Sequence, residues 1–183
     1  MKTHIVQFVR ALFADKSANM VLLWKAADGG NVEEVRRLIP ISYCAKWNSK
    51  PLINAARNGH TECVRLLIPV SDPRDYNTAL WFASGSDSVE CVKLLLTVAD
   101  PKHKDSQALV SAVVRKNQEI IDVLYPVSDP DKALEDMHMR YKYLMEPYKD
   151  FAQRVEEGRF KRQLNKELEI QQPASPTTRR RKM

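Results

Sequence analysis

The sequence predicts an all-α, helix-turn-helix solenoid of about four repeats, with a helical cap at each end. Three observations carry this. A breaker recurs after an apolar run at Pro40, Pro69, Thr97 and Pro126, in steps of 29, 28 and 29 residues. Other columns keep the same register: Leu23, Leu52, Leu80 and Leu109; Ala26, Ala55, Ala83 and Ala112; Glu33, Glu62, Glu90 and Glu119; Val35, Val64, Val92 and Ile121. Finally, only 5 of the 183 residues are glycine, too few for a turn-rich β sandwich.

Each element follows in order. In residues 1–16, Ile5, Val9, Leu12 and Phe13 share one helical stripe suited to covering the first unit. Gln7 and Arg10 interrupt the apolar run there, as a secretory leader would not. Residues 17–130 hold the repeats, read most clearly in the second unit. In "KPLINAARNG", Leu52, Ala55 and Ala56 lie on one face of a first helix. Pro51 suits the first turn, where its missing N–H costs nothing, and Gly59 ends the helix. In "HTECVRLLIP", Val64, Leu67 and Ile68 mark a second helix, with Thr61 placed to cap its start and Pro69 to end it. The Asp-Pro of "VSDP" and "VADP" sets extended or turn backbone, because a residue before proline avoids the α region. Small alanines let neighbouring units approach, and each unit needs its neighbour to cover its apolar face.

Beyond the repeats, residues 131–170 read as a C-terminal helical cap or a partner helix. Met137, Tyr141, Leu144, Tyr148, Phe151 and Val155 form a heptad-like stripe, and Pro147 bends or restarts the helix. Residues 171–183, "QQPASPTTRRRKM", hold too few apolar side chains to fold and read as a disordered basic tail.

The net charge is +6, and Arg179, Arg180, Arg181 and Lys182 supply four of those charges, which leaves +2 over residues 1–170. The body therefore makes no strong electrostatic claim on phosphates. The tail cluster is the candidate contact for phosphate or an acidic partner, without aromatic side chains to stack on bases. No apolar run reaches the roughly 18 residues of a membrane span. Three cysteines without a CxxC pair suit a soluble, cytoplasmic protein in a reducing compartment. Cys63 and Cys91 share a repeat column. At the roughly 10 Å between packed helices they exceed the ~7 Å Cα limit for a disulfide, so they read as packing residues. His4, His60, His103 and His138 are scattered, with no HExxH, no Cys–His metal spacing, no Gly-rich phosphate loop and no GxSxG. The expectation is no catalytic residue, no metal, no cofactor and no enzymatic activity.

The stretch "KPLINAARNGHTECVRLLI" resembles the ankyrin repeat at Pro51, Leu52, Ala55, Ala56, Gly59 and His60. The third unit matches at Thr78, Leu80 and Ala83, and the first and fourth through the registered columns, so the resemblance covers roughly residues 17–130. The period is 28–29 rather than the usual ~33, and no hairpin-turn glycine is present, which implies tight loops in place of a two-stranded finger. His60, in the family's Gly-His, is expected to support its loop.

The resemblance implies a module that binds, masks or scaffolds a protein partner on a concave surface of first helices and inter-unit loops. Two helix columns map to that surface: Lys25, Asn54, Phe82 and Ser111, then Asp28, Arg57, Gly85 and Val114. The loop columns are Ala18, Trp47, Asp75 and Lys104, then Asn19, Asn48, Tyr76 and Asp105. The candidate partner contacts are Lys25, Asp28, Trp47, Asn48, Asn54, Arg57, Asp75, Tyr76, Phe82, Lys104 and Asp105. Trp47, Tyr76 and Phe82 suggest an aromatic patch of the kind that anchors interfaces. Trp24 and Trp81 stand where the family often has histidine and read as mostly packing. The alternatives are a nucleic-acid-associated protein acting through the tail, and a homo-oligomer built through the C-terminal helices.

Overall fold

The computed structural model describes residues 16–42, 49–141 and 148–171. The cap expected over residues 1–16 lies outside them, apart from Lys16, where the first described helix begins. The chain divides into two bodies, residues 1–142 and 143–183.

In the first body the elements run α1 (Lys16–Asp28), α2 (Val32–Leu38), α3 (Lys50–Arg57), α4 (Thr61–Leu67), α5 (Tyr76–Ser84), α6 (Val89–Leu95), α7 (His103–Arg115), α8 (Gln118–Leu124) and α9 (Pro130–Arg140). Single 3₁₀ turns occupy Ile39–Ile41, Ile68–Val70 and Pro73–Asp75, and no strand occurs among the described residues. Odd-numbered helices α1 to α7 are the first helices of four pairs. Each packs on its own second helix and on the next first helix, while α2, α4, α6 and α8 form a second row. The chain is thus an all-α stack of helix pairs.

The registered columns are its core. Leu23, Leu52, Leu80 and Leu109 are at most 1% exposed, Ala55, Ala83 and Ala112 are fully buried, and Ala26 is 8% exposed. The second row buries Val35 and Leu38, Val64 and Leu67, Val92 and Leu95, then Ile120 and Leu124. Each such leucine, removed from water, contributes roughly 1.5–3 kcal/mol before entropy is counted. The helix α9 packs on α7 as the first helix of a fifth unit would, with buried Met137 lying 28 residues after Leu109.

Local chemistry explains the turns. Gly30 and Gly59 have φ of +70° and +73°, left-handed values that link first helix to second. Lys116 takes φ +58° at the same place in the fourth unit. Side chains of Asn31, Ser88 and Asn117 then cap the second helices, accepting from the N–H groups of Glu34, Cys91 and Ile120. Thr61 is not the cap of α4. It is the first residue inside that helix, His60 holds the cap position, and the Thr61 hydroxyl lies 3.2 Å from both Ser88 Oγ and Cys91 Sγ of the next unit.

The connections explain the recurring Asp-Pro. After Leu67 the backbone tightens into the Ile68-Pro69-Val70 turn, then extends through Ser71 and Asp72. The Asp72 N–H donates to Ser49 Oγ at 2.9 Å, the Asp100 N–H to Asn77 Oδ1 at 2.8 Å, and the Asp129 N–H to Ser106 Oγ at 2.7 Å. Each acceptor lies 23 residues before its donor, so the same latch ties these three connections to the start of the preceding first helix.

The second body contains α10 (Lys149–Gln171). At 1.5 Å per residue it is about 35 Å long. Tyr148, Phe151 and Val155 are buried, whereas Phe160, Leu164 and Leu168 are 68%, 43% and 50% exposed. At about 100° per residue the two sets lie on opposite sides of the helix. The heptad-like stripe expected through residues 137–155 is divided between α9 and α10; Leu144 and Pro147 fall outside the described residues. No described helix is long and apolar enough to cross a membrane.

Candidate partner-binding face

The period that buries the leucine and alanine columns leaves the opposite side of the first helices open. Lys25 and Asp28 are exposed on α1, Arg57 on α3, Trp81 on α5 and Arg115 on α7. Asn54, Phe82, Ser111 and Val114 are half-buried between them.

Two of the sequence-derived candidates meet at the boundary of the first and second units. Asn54 Nδ2 donates to Asp28 Oδ1 at 3.0 Å, and Asn58 Nδ2 reaches the same oxygen at 3.1 Å and the Asp28 carbonyl at 2.9 Å. His60 Nε2 lies 2.9 Å from that carbonyl oxygen, so His60 does support the loop, and the loop is the preceding unit's. Asp28 and Asn54 therefore spend hydrogen bonds joining units. Two more candidates meet at the next boundary. The Arg57 guanidinium stands 4.2 Å from the Phe82 ring centroid, and Trp81 lies against Phe82 with centroids 4.6 Å apart and planes tilted by 40°.

The aromatic patch expected from Trp47, Tyr76 and Phe82 is composed differently. Tyr76 is half-buried and its hydroxyl donates to the Ile68 carbonyl at 2.8 Å, bracing the connection. Among the described residues, Phe82 has ring contacts with Trp81 and Arg57. Asp75 ends the 3₁₀ turn before α5, and Lys104 is exposed near the start of α7 with φ +47°. Asp105 lies in α7, with its side chain outside the description. Trp47, Asn48 and the cluster Arg179, Arg180, Arg181 and Lys182 lie outside the described residues.

Trp24 and Trp81, read from the sequence as packing, are 40% and 36% exposed. Their column also contains Ile53 and Val110, and Val110 is buried. An apolar column signals packing, but the register alone does not say how much of each side chain its neighbours cover. Arg115 and Arg140 escaped the sequence reading as well. Arg115 lies one place past a registered column, and Arg140 lies on α9. Extending the period into residues 130–140 was the signal that could have placed Arg140 beside the repeats. Both line a cleft of about 170 Å³ with Trp81, Val110, Ser111 and Val114.

The second-row face has a different character. Glu62 pairs with Arg65 at 3.4 Å and Glu90 with Lys93 at 2.8 Å, each within one helix turn. The Arg37 hydrogen bond holds the Glu34 carboxyl below its ordinary range and raises Arg37 in return. Exposed pairs of this kind add little stability but leave that face solvated and self-neutralised. On the second-row helices α4 and α6, Cys63 and Cys91 are free and buried, and burial pushes the Cys63 thiol up, with Cys91 and Glu62 adding to the shift. Among the described residues no group of three or more His, Cys, Asp or Glu could hold a metal ion.

The family model described as "Ankyrin repeats (3 copies)" matches residues 2–76 and, in a second placement, residues 23–105. No curated protein and no solved structure matches the chain.

Proposed function

We propose that this chain, which belongs to the ankyrin repeat family, is a non-enzymatic module that captures, masks or scaffolds one protein partner on the open face of its first helices. Ankyrin repeats generally mediate protein–protein interactions. The observation that supports this face is the Arg57–Phe82–Trp81 cluster, in which aromatic side chains are held by packing yet left partly uncovered. Aromatic and arginine side chains are the favoured anchors of interfaces, and a surface already ordered loses little entropy on binding. Lys25, Arg57, Trp81 and Phe82 are the proposed helix contacts, with Asp75 and Lys104 at the helix starts. Asp28, Asn54 and Tyr76 hold the face in shape.

The test is affinity capture from nuclease-treated lysate, comparing the full chain with a Trp81→Ala/Phe82→Ala variant shown to be folded by its thermal melt. Retained protein should fall about tenfold or more in that variant and persist in a Lys93→Ala control on the second-row face. Capture that disappears with nuclease treatment, or ignores the aromatic variant, removes the reading.

A second reading rests on α10. The exposed row of Phe160, Leu164 and Leu168 favours self-association through this helix. Sedimentation of the full chain beside Leu164→Glu decides it, since a wild-type monomer at micromolar concentration eliminates the oligomer.

A further inference from the structure

We infer that the cleft between α5, α7 and α9 takes an acidic peptide segment of the partner, one that inserts a single apolar side chain beside Trp81 and sets a neighbouring carboxylate against Arg115. This rests on the first-helix face being the partner surface, and names the chemistry it recognises.

The size of the cleft restricts its occupant. At about 170 Å³ it is smaller than the roughly 300 Å³ at which small-molecule pockets begin, and it suits one side chain. Trp81, Val110 and Val114 make its walls apolar, and Gln107 and Ser111 offer hydrogen bonds to a peptide backbone. Gly85 borders this region: a Cβ there would come 3.2 Å from Ser111 Oγ, a tight contact, and 3.9 Å from Arg115 Nε, an ordinary one. The corresponding positions in the first and second units are occupied by Asp28 and Arg57.

Charge supplies the complement. Among the described residues, the one acidic side chain lining the cleft, Asp136, accepts from Arg140 Nε at 2.6 Å. Arg115 is exposed and makes no ion pair among the described residues. Among the described residues lining it, the cleft therefore carries one uncompensated positive charge. Across the Trp81–Phe82 pair, Arg57 presents a second guanidinium. A guanidinium fork matches a carboxylate in two parallel hydrogen bonds, and it does so best beside an apolar surface that excludes water.

A phage-displayed random peptide library, selected on the immobilised full chain, tests this. Recovered sequences should share Asp or Glu beside Leu, Phe or Trp. In fluorescence anisotropy, the Kd of a recovered peptide should rise about tenfold or more with Arg115→Glu or Trp81→Ala, weaken with added salt, and stay unchanged with Lys93→Ala. Arg115 is exposed, so its variant keeps the test independent of folding. No recovered peptide, no acidic preference, or indifference to Arg115→Glu overturns the inference. If binding is lost with Arg57→Ala or Phe82→Ala but not with Arg115→Glu, only the acidic-segment inference fails. Indifference to all of these substitutions removes the first-helix face as well.

Discussion

The Arg57 guanidinium lies 4.2 Å from the centroid of the Phe82 ring, across the boundary between the second and third repeat units. The two residues belong to different columns, Phe82 just before the buried alanine and Arg57 two places after it. Stacking one first helix on the next brings them into contact. The pair forms the middle of the open face, so its strength is also a measure of how firmly that face is ordered.

A double-mutant cycle with Arg57→Ala and Phe82→Leu, read by urea unfolding, should give a coupling of about 0.5–1 kcal/mol. Additive effects would mean that the two side chains do not interact in solution.

Two adjacent glycines should respond in opposite ways. At Gly30, with φ +70°, a Cβ would come 2.6 Å from His60 Nδ1, whereas at Gly29 the nearest contact is an ordinary 3.5 Å. Gly30→Ala should cost at least about 1–2 kcal/mol from the left-handed backbone alone, plus displacement of His60 from Asp28. Gly29→Ala should be neutral or stabilising. Thermal melts of the two variants separate these outcomes, and equal melting temperatures would sink the account.

The Ser106 latch makes a residue-specific prediction. Ser106 is fully buried, and its hydroxyl accepts the Asp129 N–H. Ser106→Ala leaves that donor unpaired and should cost about 1–3 kcal/mol, with faster hydrogen exchange at the Asp129 amide. Asn77→Ala should cost less, because its bond to the Asp100 N–H is exposed to water. An unchanged Asp129 exchange rate would argue against the latch.

Cys63 should make stability fall at alkaline pH. Burial raises its folded-state pKa, so the folded chain keeps this proton to higher pH than the unfolded chain does. The stabilising contribution is therefore full below the unfolded thiol value of about 8.5 and is lost as pH climbs from there toward the folded value. Urea midpoints measured on either side of about pH 8.5 should decline with pH, and Cys63→Ala should flatten part of that decline. A wild-type slope identical to that of the variant would remove Cys63 as its source.

What the sequence by itself determined is local. The 28–29-residue period, the burial of the leucine and alanine columns, Pro51 in a first turn and Gly59 after a helix all follow from helical spacing and from backbone limits carried by single residues. Those limits act within a few residues of chain, so a linear reading captures them. It could not tell that Thr61 turns to Ser88 instead of capping α4, that Tyr76 braces Ile68, or that Trp81 stays partly exposed where Val110 is buried. Nor could it pair Arg57 with Phe82, or Asp28 with Asn54, Asn58 and His60. Only the tertiary structure decided those contacts, because they depend on the distance and rotation between neighbouring units. Packing of the side chains buried between helices sets both, and no single helix encodes them.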